Sequence, residues 1–215
     1  MKVSITIPES LDEISLGQYQ KWISISEDKE INLFLQQKMI EIFCNTNLKI
    51  VTQLKLKDID NICKSINNLF DIEEHKFIDR FNIDGKNFGF IPKLDDMTFG
   101  EYIDLDLYIN DWEKMHKAIG VLYRPIIASI KNKYNIEDYK SSESYNMLNT
   151  PLSVVFGAMV FFFNLKNELS SLTLSYLATQ REIQIPQGLQ DLLKNGVGIN
   201  PYMLLRKGIY NKLKL

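Results

Sequence analysis

Lys76-Phe77-Ile78-Asp79-Arg80-Phe81-Asn82-Ile83-Asp84-Gly85-Lys86-Asn87-Phe88-Gly89-Phe90-Ile91-Pro92 is the stretch on which the fold turns. Two β-prone runs flank Asp84-Gly85, a pair that tolerates positive φ at both central positions of a tight hairpin turn. A β-hairpin over 76–91 is therefore expected, ended by Pro92. Before it and after it the apolar spacing is helical. The expected class is α+β: mainly helical, with a small antiparallel sheet built on that hairpin.

On the N-terminal side, Ile31, Phe34/Leu35, Met39 and Ile42/Phe43 form one stripe of a helix over 31–43. Ile59, Ile62/Cys63, Ile66 and Leu69/Phe70 do the same over 57–69. Leu16, Tyr19 and Trp22/Ile23 predict a helix capped by Ser15. Val3 to Ile7 alternates like a strand that stops at Pro8 and could join the hairpin's sheet. Beyond Pro92, Asp95 or Thr98 can cap a helix through about 107, and a second helix over 111–122 stops before Pro125. Residues 126–149 are polar and weakly patterned, with Ser141, Ser142 and Ser144 marking a loop. Thr150 as cap and Pro151 at the first helical position open a long apolar helix to about 169. Residues 1–179 thus read as one helical core domain with its hairpin, and 180–215 as a basic C-terminal arm.

With 45% apolar residues, 24% charged residues and a net charge of −2, the chain can build a core and carries no general excess of positive charge for phosphates. The most apolar run, Val154 to Phe163, is ten residues, half of the ~20 that a membrane span needs. The opening Met1 to Pro8 lacks a basic segment followed by an apolar one, so synthesis in the cytosol of the producing cell is expected, with no membrane partner. Cys44 and Cys63 lie in apolar helical stretches and are expected as free, buried thiols; a disulfide or redox pair is the alternative. No cofactor is expected.

Candidate chemistry is sparse. Asp95, Asp96, Glu101, Asp104, Asp106, Asp111 and Glu113 follow one another without an intervening base in that acidic run. Carboxylates of this kind hold divalent cations in hard-metal and phosphoryl-transfer sites. On a helix Glu101 and Asp104 share a face and Asp106 points elsewhere. The expectation is a solvated acidic helix face able to meet a basic partner surface, with a metal enzyme as the lesser reading. Glu113-x-x-His116 matches half of a di-iron carboxylate motif, but His75 has Ile72 where the second half needs Glu. No Gly-x-Ser-x-Gly elbow or phosphate-binding glycine loop occurs, so no enzyme activity is expected.

Arg124, one of four arginines, sits in Leu122-Tyr123-Arg124-Pro125-Ile126. It can pair with the acidic helix inside the fold, or anchor a partner as interface arginines do. From 188 to 215, five bases (Lys194, Arg206, Lys207, Lys212 and Lys214) face one acid, Asp191, with apolar residues interleaved. A last amphipathic helix is expected over Tyr202–Leu213. A basic end and an acidic middle suit head-to-tail contacts between copies. The candidate partner-contacting residues are Arg124, Lys194, Tyr202, Arg206, Lys207, Tyr210 and Lys212.

Phe88 to Asp106 (FGFIPKLDDMTFGEYIDLD), His116 to Ile126 ending in Tyr-Arg-Pro-Ile, and Phe161-Phe162-Phe163-Asn164-Leu165 resemble segments of structural-module proteins of tailed bacteriophages, the crAss-like and related phages of Bacteroidetes. The resemblance spans roughly 76–169 and is weakest in the basic C-terminus. It carries no active site. It implies a virion protein made in the host cytoplasm: a ring-forming subunit of the head–tail neck or connector, stacked on the portal as a cyclic homo-oligomer. DNA could pass through its lumen without sequence-specific binding. A tail-assembly chaperone is the alternative it leaves open.

Overall fold

The computed structural model describes residues 4–164, except 28 and 72–74. The 180–215 arm, its boundary at 179 and the end of the last apolar helix lie outside the described residues.

The fold is α+β. Four helices come first: α1 (Leu16–Ser26), α2 (Leu33–Phe43), α3 (Leu48–Val51) and α4 (Leu56–Phe70). Ser15 caps α1 as the sequence predicts. Its hydroxyl accepts from the Gln18 N–H while the Gln18 side chain accepts from the Ser15 N–H, a reciprocal box that satisfies two otherwise orphaned donors. Asn32 caps α2. Helix α1 packs on α2, and α2 on α4.

The hairpin forms as expected, from β1 (Arg80–Ile83) and β2 (Lys86–Phe90). Asp84 and Gly85 both take positive φ, 52° and 78°, the mirror-image turn whose twist matches that of the strands. The chain then makes α5 (Phe99–Tyr108) and α6 (Met115–Leu122), and α6 runs directly into β3 (Tyr123–Ile130), followed by β4 (Lys133–Ile136). The sheet is antiparallel throughout, in the order β1-β2-β3-β4. Thr98 caps α5 through a second reciprocal box, with Glu101.

Two sequence expectations need correction. The 126–149 segment is not wholly a loop, since it holds the far half of β3 and all of β4. Its turn uses Lys131 at φ 54° in place of a glycine, and the register shifts between Ile126 and Ala128. Pro125, just before that irregularity, has no N–H for the ladder; it stands opposite Phe88 of β2, and its carbonyl accepts the Glu137 N–H at 2.9 Å on the other edge. The expected N-terminal strand joins no ladder among the described residues. Ser4 and Thr6 face out, while Ile5 and Ile7 rest half-buried on the core. Alternation there records one-sided packing without strand pairing.

Helix α7 is described over 152–164. Its start is tied to α1 by two backbone bonds, Leu16 N–H to Thr150 O and Leu152 N–H to Ile14 O, each 2.8 Å. Val154, Val155, Phe156 and Ala158 are buried. Phe156 meets Tyr19 and Trp112, while Phe161 and Phe162 meet Phe90 of the sheet. One helix thus welds the helical layer to the sheet. Among the described residues no helix is long and apolar enough to cross a membrane.

Gly157 makes this weld possible. A Cβ there would lie 3.1 Å from the Lys76 carbonyl carbon and 3.3 Å from the Phe77 Cα, and closer still to the Lys76 oxygen. Gly→Ala inside a helix ordinarily stabilises by up to ~1 kcal/mol. Here the sign should reverse. Gly157→Ala is expected to lower stability by about 1–3 kcal/mol, as overpacking against backbone does, read as a reduced midpoint in urea unfolding. A stabilised variant would refute the close approach.

Candidate functional site

Helix α5 is amphipathic in the reverse of the usual sense. Glu101 is 2% exposed, with Leu105 buried beside it, whereas Phe99 is 78% exposed, Leu107 60%, Tyr102 58% and Ile103 47%. Residues 99, 102, 103, 106 and 107 recur at helical spacing and form one outward stripe, with Asp106 as its single carboxylate.

What turns the acid inward is Arg124. Its guanidinium nitrogen Nη2 lies 2.8 Å from Glu101 Oε1, with the side chains 10% and 3% exposed. The other carboxylate oxygen, Oε2, accepts the Thr98 N–H at 2.6 Å. One carboxylate therefore closes the helix cap and neutralises the buried cation. Arg124 stands in β3 opposite Gly89 of β2, and its guanidinium lies 5.8 Å from the centre of the Tyr139 ring. The Tyr139 hydroxyl donates to Asp104, and the Tyr145 hydroxyl to Glu137. Burial, reinforced by the Asp104 carboxylate, pushes the Tyr139 hydroxyl far above its usual range. Burial and Glu137 raise Tyr145 to about 12. Both phenols stay protonated donors at neutral pH. The result is a polar seam joining α5, β3 and the segment after β4.

The expectation of a solvated acidic face is therefore corrected. Glu101 and Asp104 do share a side, but that side faces the protein and both are engaged there. The Glu101–Arg124 pairing is the internal one the sequence allowed, so Arg124 is a buried strut with little surface to offer a partner. Lys194, Tyr202, Arg206, Lys207, Tyr210 and Lys212 lie outside the described residues. Sequence reasoning missed Phe99, Tyr102, Ile103 and Leu107. Their 3–4 spacing was visible, but such spacing ordinarily marks the inward face.

His116 is half-buried. Gln20 Nε2 donates to the Trp112 carbonyl at 2.6 Å and lies 3.2 Å from His116 Nδ1. Burial, then Lys117, holds the His116 pKa below the ordinary histidine value. Among the described residues no three His, Cys, Asp or Glu side chains are grouped to hold a metal ion. A second exposed apolar pair, Leu33 and Phe34, lines an open hollow at the start of α2 with Ile31 and Gln36.

Cys44 and Cys63 are free and buried, as expected. The Cys63 thiol donates to the Gln36 carbonyl at 3.7 Å. Burial pushes Cys44 up to about 11 and Cys63 to about 12, the latter also through Asp60. Neither is poised as a nucleophile, since the thiolate is the reactive form.

Two tests follow from this geometry. Glu101→Leu strands a buried guanidinium and should cost about 3–5 kcal/mol in urea unfolding, whereas the double variant Glu101→Leu/Arg124→Met should recover most of it. A double variant no more stable than the single would disprove the coupling. The thiols bind protons more tightly folded than unfolded, so their contribution is complete below pH 9.0, the unfolded value, and is lost as pH rises through about 11 and 12. Stability should therefore fall above pH 9, and Cys63→Ala should flatten the fall by up to about 1.4 kcal/mol per pH unit. An unchanged slope would contradict the burial of that thiol. Set against family models, curated proteins and solved structures, the chain matches none of them.

Proposed function

We propose that this chain is a non-enzymatic structural subunit of a tailed-phage virion, a ring protein of the head–tail neck or connector. The observation that carries the reading is the outward stripe of α5. Four large apolar side chains on one exposed helix face are the usual mark of a protein–protein contact. They are presented by a helix pinned at Glu101, so the contact would be pre-organised and bind without first ordering a loop. The Phe88–Asp106 stretch, whose resemblance to phage structural modules prompts this reading, runs through the same helix. In the ring, each copy presents a rigid helical and sheet body, while the basic 180–215 arm grips the adjacent subunit or layer.

A tail-assembly chaperone would also expose an apolar helix face, and the two readings differ in what remains in the particle. Native mass spectrometry of the full chain, alone and mixed with the portal of the same phage, is expected to give a cyclic oligomer. Mass spectrometry of purified virions is expected to find the chain at ring stoichiometry. Its absence from virions would favour the chaperone. A chain that stays monomeric under both conditions and turns over a substrate would overturn the proposal.

A further inference from the structure

We infer that the free edge of β4 is the docking site for the extended segment Ser4–Glu9 of a neighbouring copy of this chain, laid along it antiparallel. The inference rests on the ring reading, and it names two described surfaces that would join one copy to the next.

Both surfaces are strands short of a neighbour. β4 ends the sheet order, and its outer edge pairs with no strand among the described residues. An edge of that kind offers a row of backbone donors and acceptors to an extended chain. Ser4–Ile7 is such a chain. It lies outside every helix and ladder, and its backbone has no backbone hydrogen bond among the described residues.

Burial selects the register. Ser4 and Thr6 are exposed while Ile5 and Ile7 are half-buried; in β4, Lys133 and Asn135 are exposed while Tyr134 and Ile136 are half-buried. With Thr6 opposite Asn135, Ile5 falls opposite Ile136 and Ile7 opposite Tyr134. Apolar pairs then share the inner face and the polar pair the outer one. A slip of one residue would mismatch all three pairs.

Charge selects the same partner. That register carries Glu9 to the β3–β4 turn, where Lys131 and Lys133 stand. Glu9, Asp12, Glu13, Lys131 and Lys133 are all exposed, and none has a salt-bridge partner among the described residues. The sheet's other edge, β1, is flanked by Asp79 and Asp84, and its one base, Arg80, is already bonded to Asp79. The carboxylates of the segment would meet like charge there. A strand that meets a different edge on the next copy makes a heterologous contact, and such contacts build rings when the rotation closes.

The test uses full-length chains. Thr6→Cys and Asn135→Cys are purified separately, one isotopically heavy, then mixed under a mild oxidant. Directly opposed residues of an antiparallel pair have Cα atoms about 4.5–5.5 Å apart, within the reach of a disulfide. Cys44 and Cys63 are buried, so only the introduced thiols are accessible. The expected product is a light–heavy disulfide dimer, at least tenfold more abundant than dimers from either variant alone. Adding Lys131→Glu and Lys133→Glu to the Asn135→Cys chain should reduce it at least fivefold, and Glu9→Lys on the Thr6→Cys chain should restore at least half of the loss, with circular dichroism spectra unchanged. A yield indifferent to these charges overturns the inference. So does either single variant linking to itself as readily, a Thr6→Cys/Asn135→Cys chain that closes only within itself, or the absence of any link. The ring reading is judged separately by the native mass of the unmodified chain. Cyclic oligomers without the mixed link overturn this docking and spare the ring. The mixed link in a chain whose native mass stays dimeric supports the docking and overturns the ring.

Discussion

A guanidinium and a carboxylate meet in the interior of this protein, and the placement of α5 depends on that meeting. Arg124 is fixed by β3, whose neighbours Tyr123 and Pro125 are paired with Phe90 and Phe88 of β2. Glu101 is fixed by the first turn of α5, where it also closes the cap at Thr98. Taking two charges out of water is costly, and each end has a further contact, although Arg124 Nε is buried with no hydrogen-bond partner among the described residues. Glu101 receives a backbone N–H, and Arg124 lies against the Tyr139 ring. Once Glu101 points inward, the 100° step of the helix decides the rest. Leu105 and Tyr108 turn toward the protein, while 99, 102, 103, 106 and 107 turn away. The exposed apolar stripe is thus a geometric consequence of the ion pair.

The body that holds this helix is stiff for a separate reason. Tyr19, Trp112 and Phe156 pack edge to face, with Phe70 stacked on Tyr19. A second aromatic group, Phe77, Phe90, Phe161 and Phe162, fills the space between α7 and the sheet. Ring pairs of this geometry contribute about 0.5–1.5 kcal/mol each beyond the area they bury. The Tyr123 hydroxyl reaches the Ile78 carbonyl at 2.7 Å and the Tyr134 hydroxyl the Phe90 carbonyl at 2.9 Å, so the sheet is cross-braced at its edge as well. A surface mounted on such a frame keeps its shape before it meets a partner. Such pre-organisation would serve the protein contact proposed above.

Much of this architecture could be read from local pattern. The Asp84-Gly85 turn, the Ser15 and Thr98 caps, the α2 and α4 stripes and the burial of Cys44 and Cys63 rest on interactions within a few residues or on plain apolar content, so the sequence determined them. Three features needed the tertiary structure. The β3–β4 hairpin lacks a glycine turn and begins at a proline, so its strand character emerges only when β2 and β4 supply partners. Among the described residues the N-terminal alternation finds no strand to pair with, although its isoleucines find the core. The direction that α5 faces cannot be read from α5 at all: one side carries Glu101, Asp104 and Leu105, the other Phe99, Tyr102, Ile103, Asp106 and Leu107, and either could be buried. Which one is buried was decided by Arg124, 23 residues further along the chain. An arginine held inside the fold by β3 brings a charge that must be neutralised there, and Glu101 is the carboxylate that reaches it, at 2.8 Å.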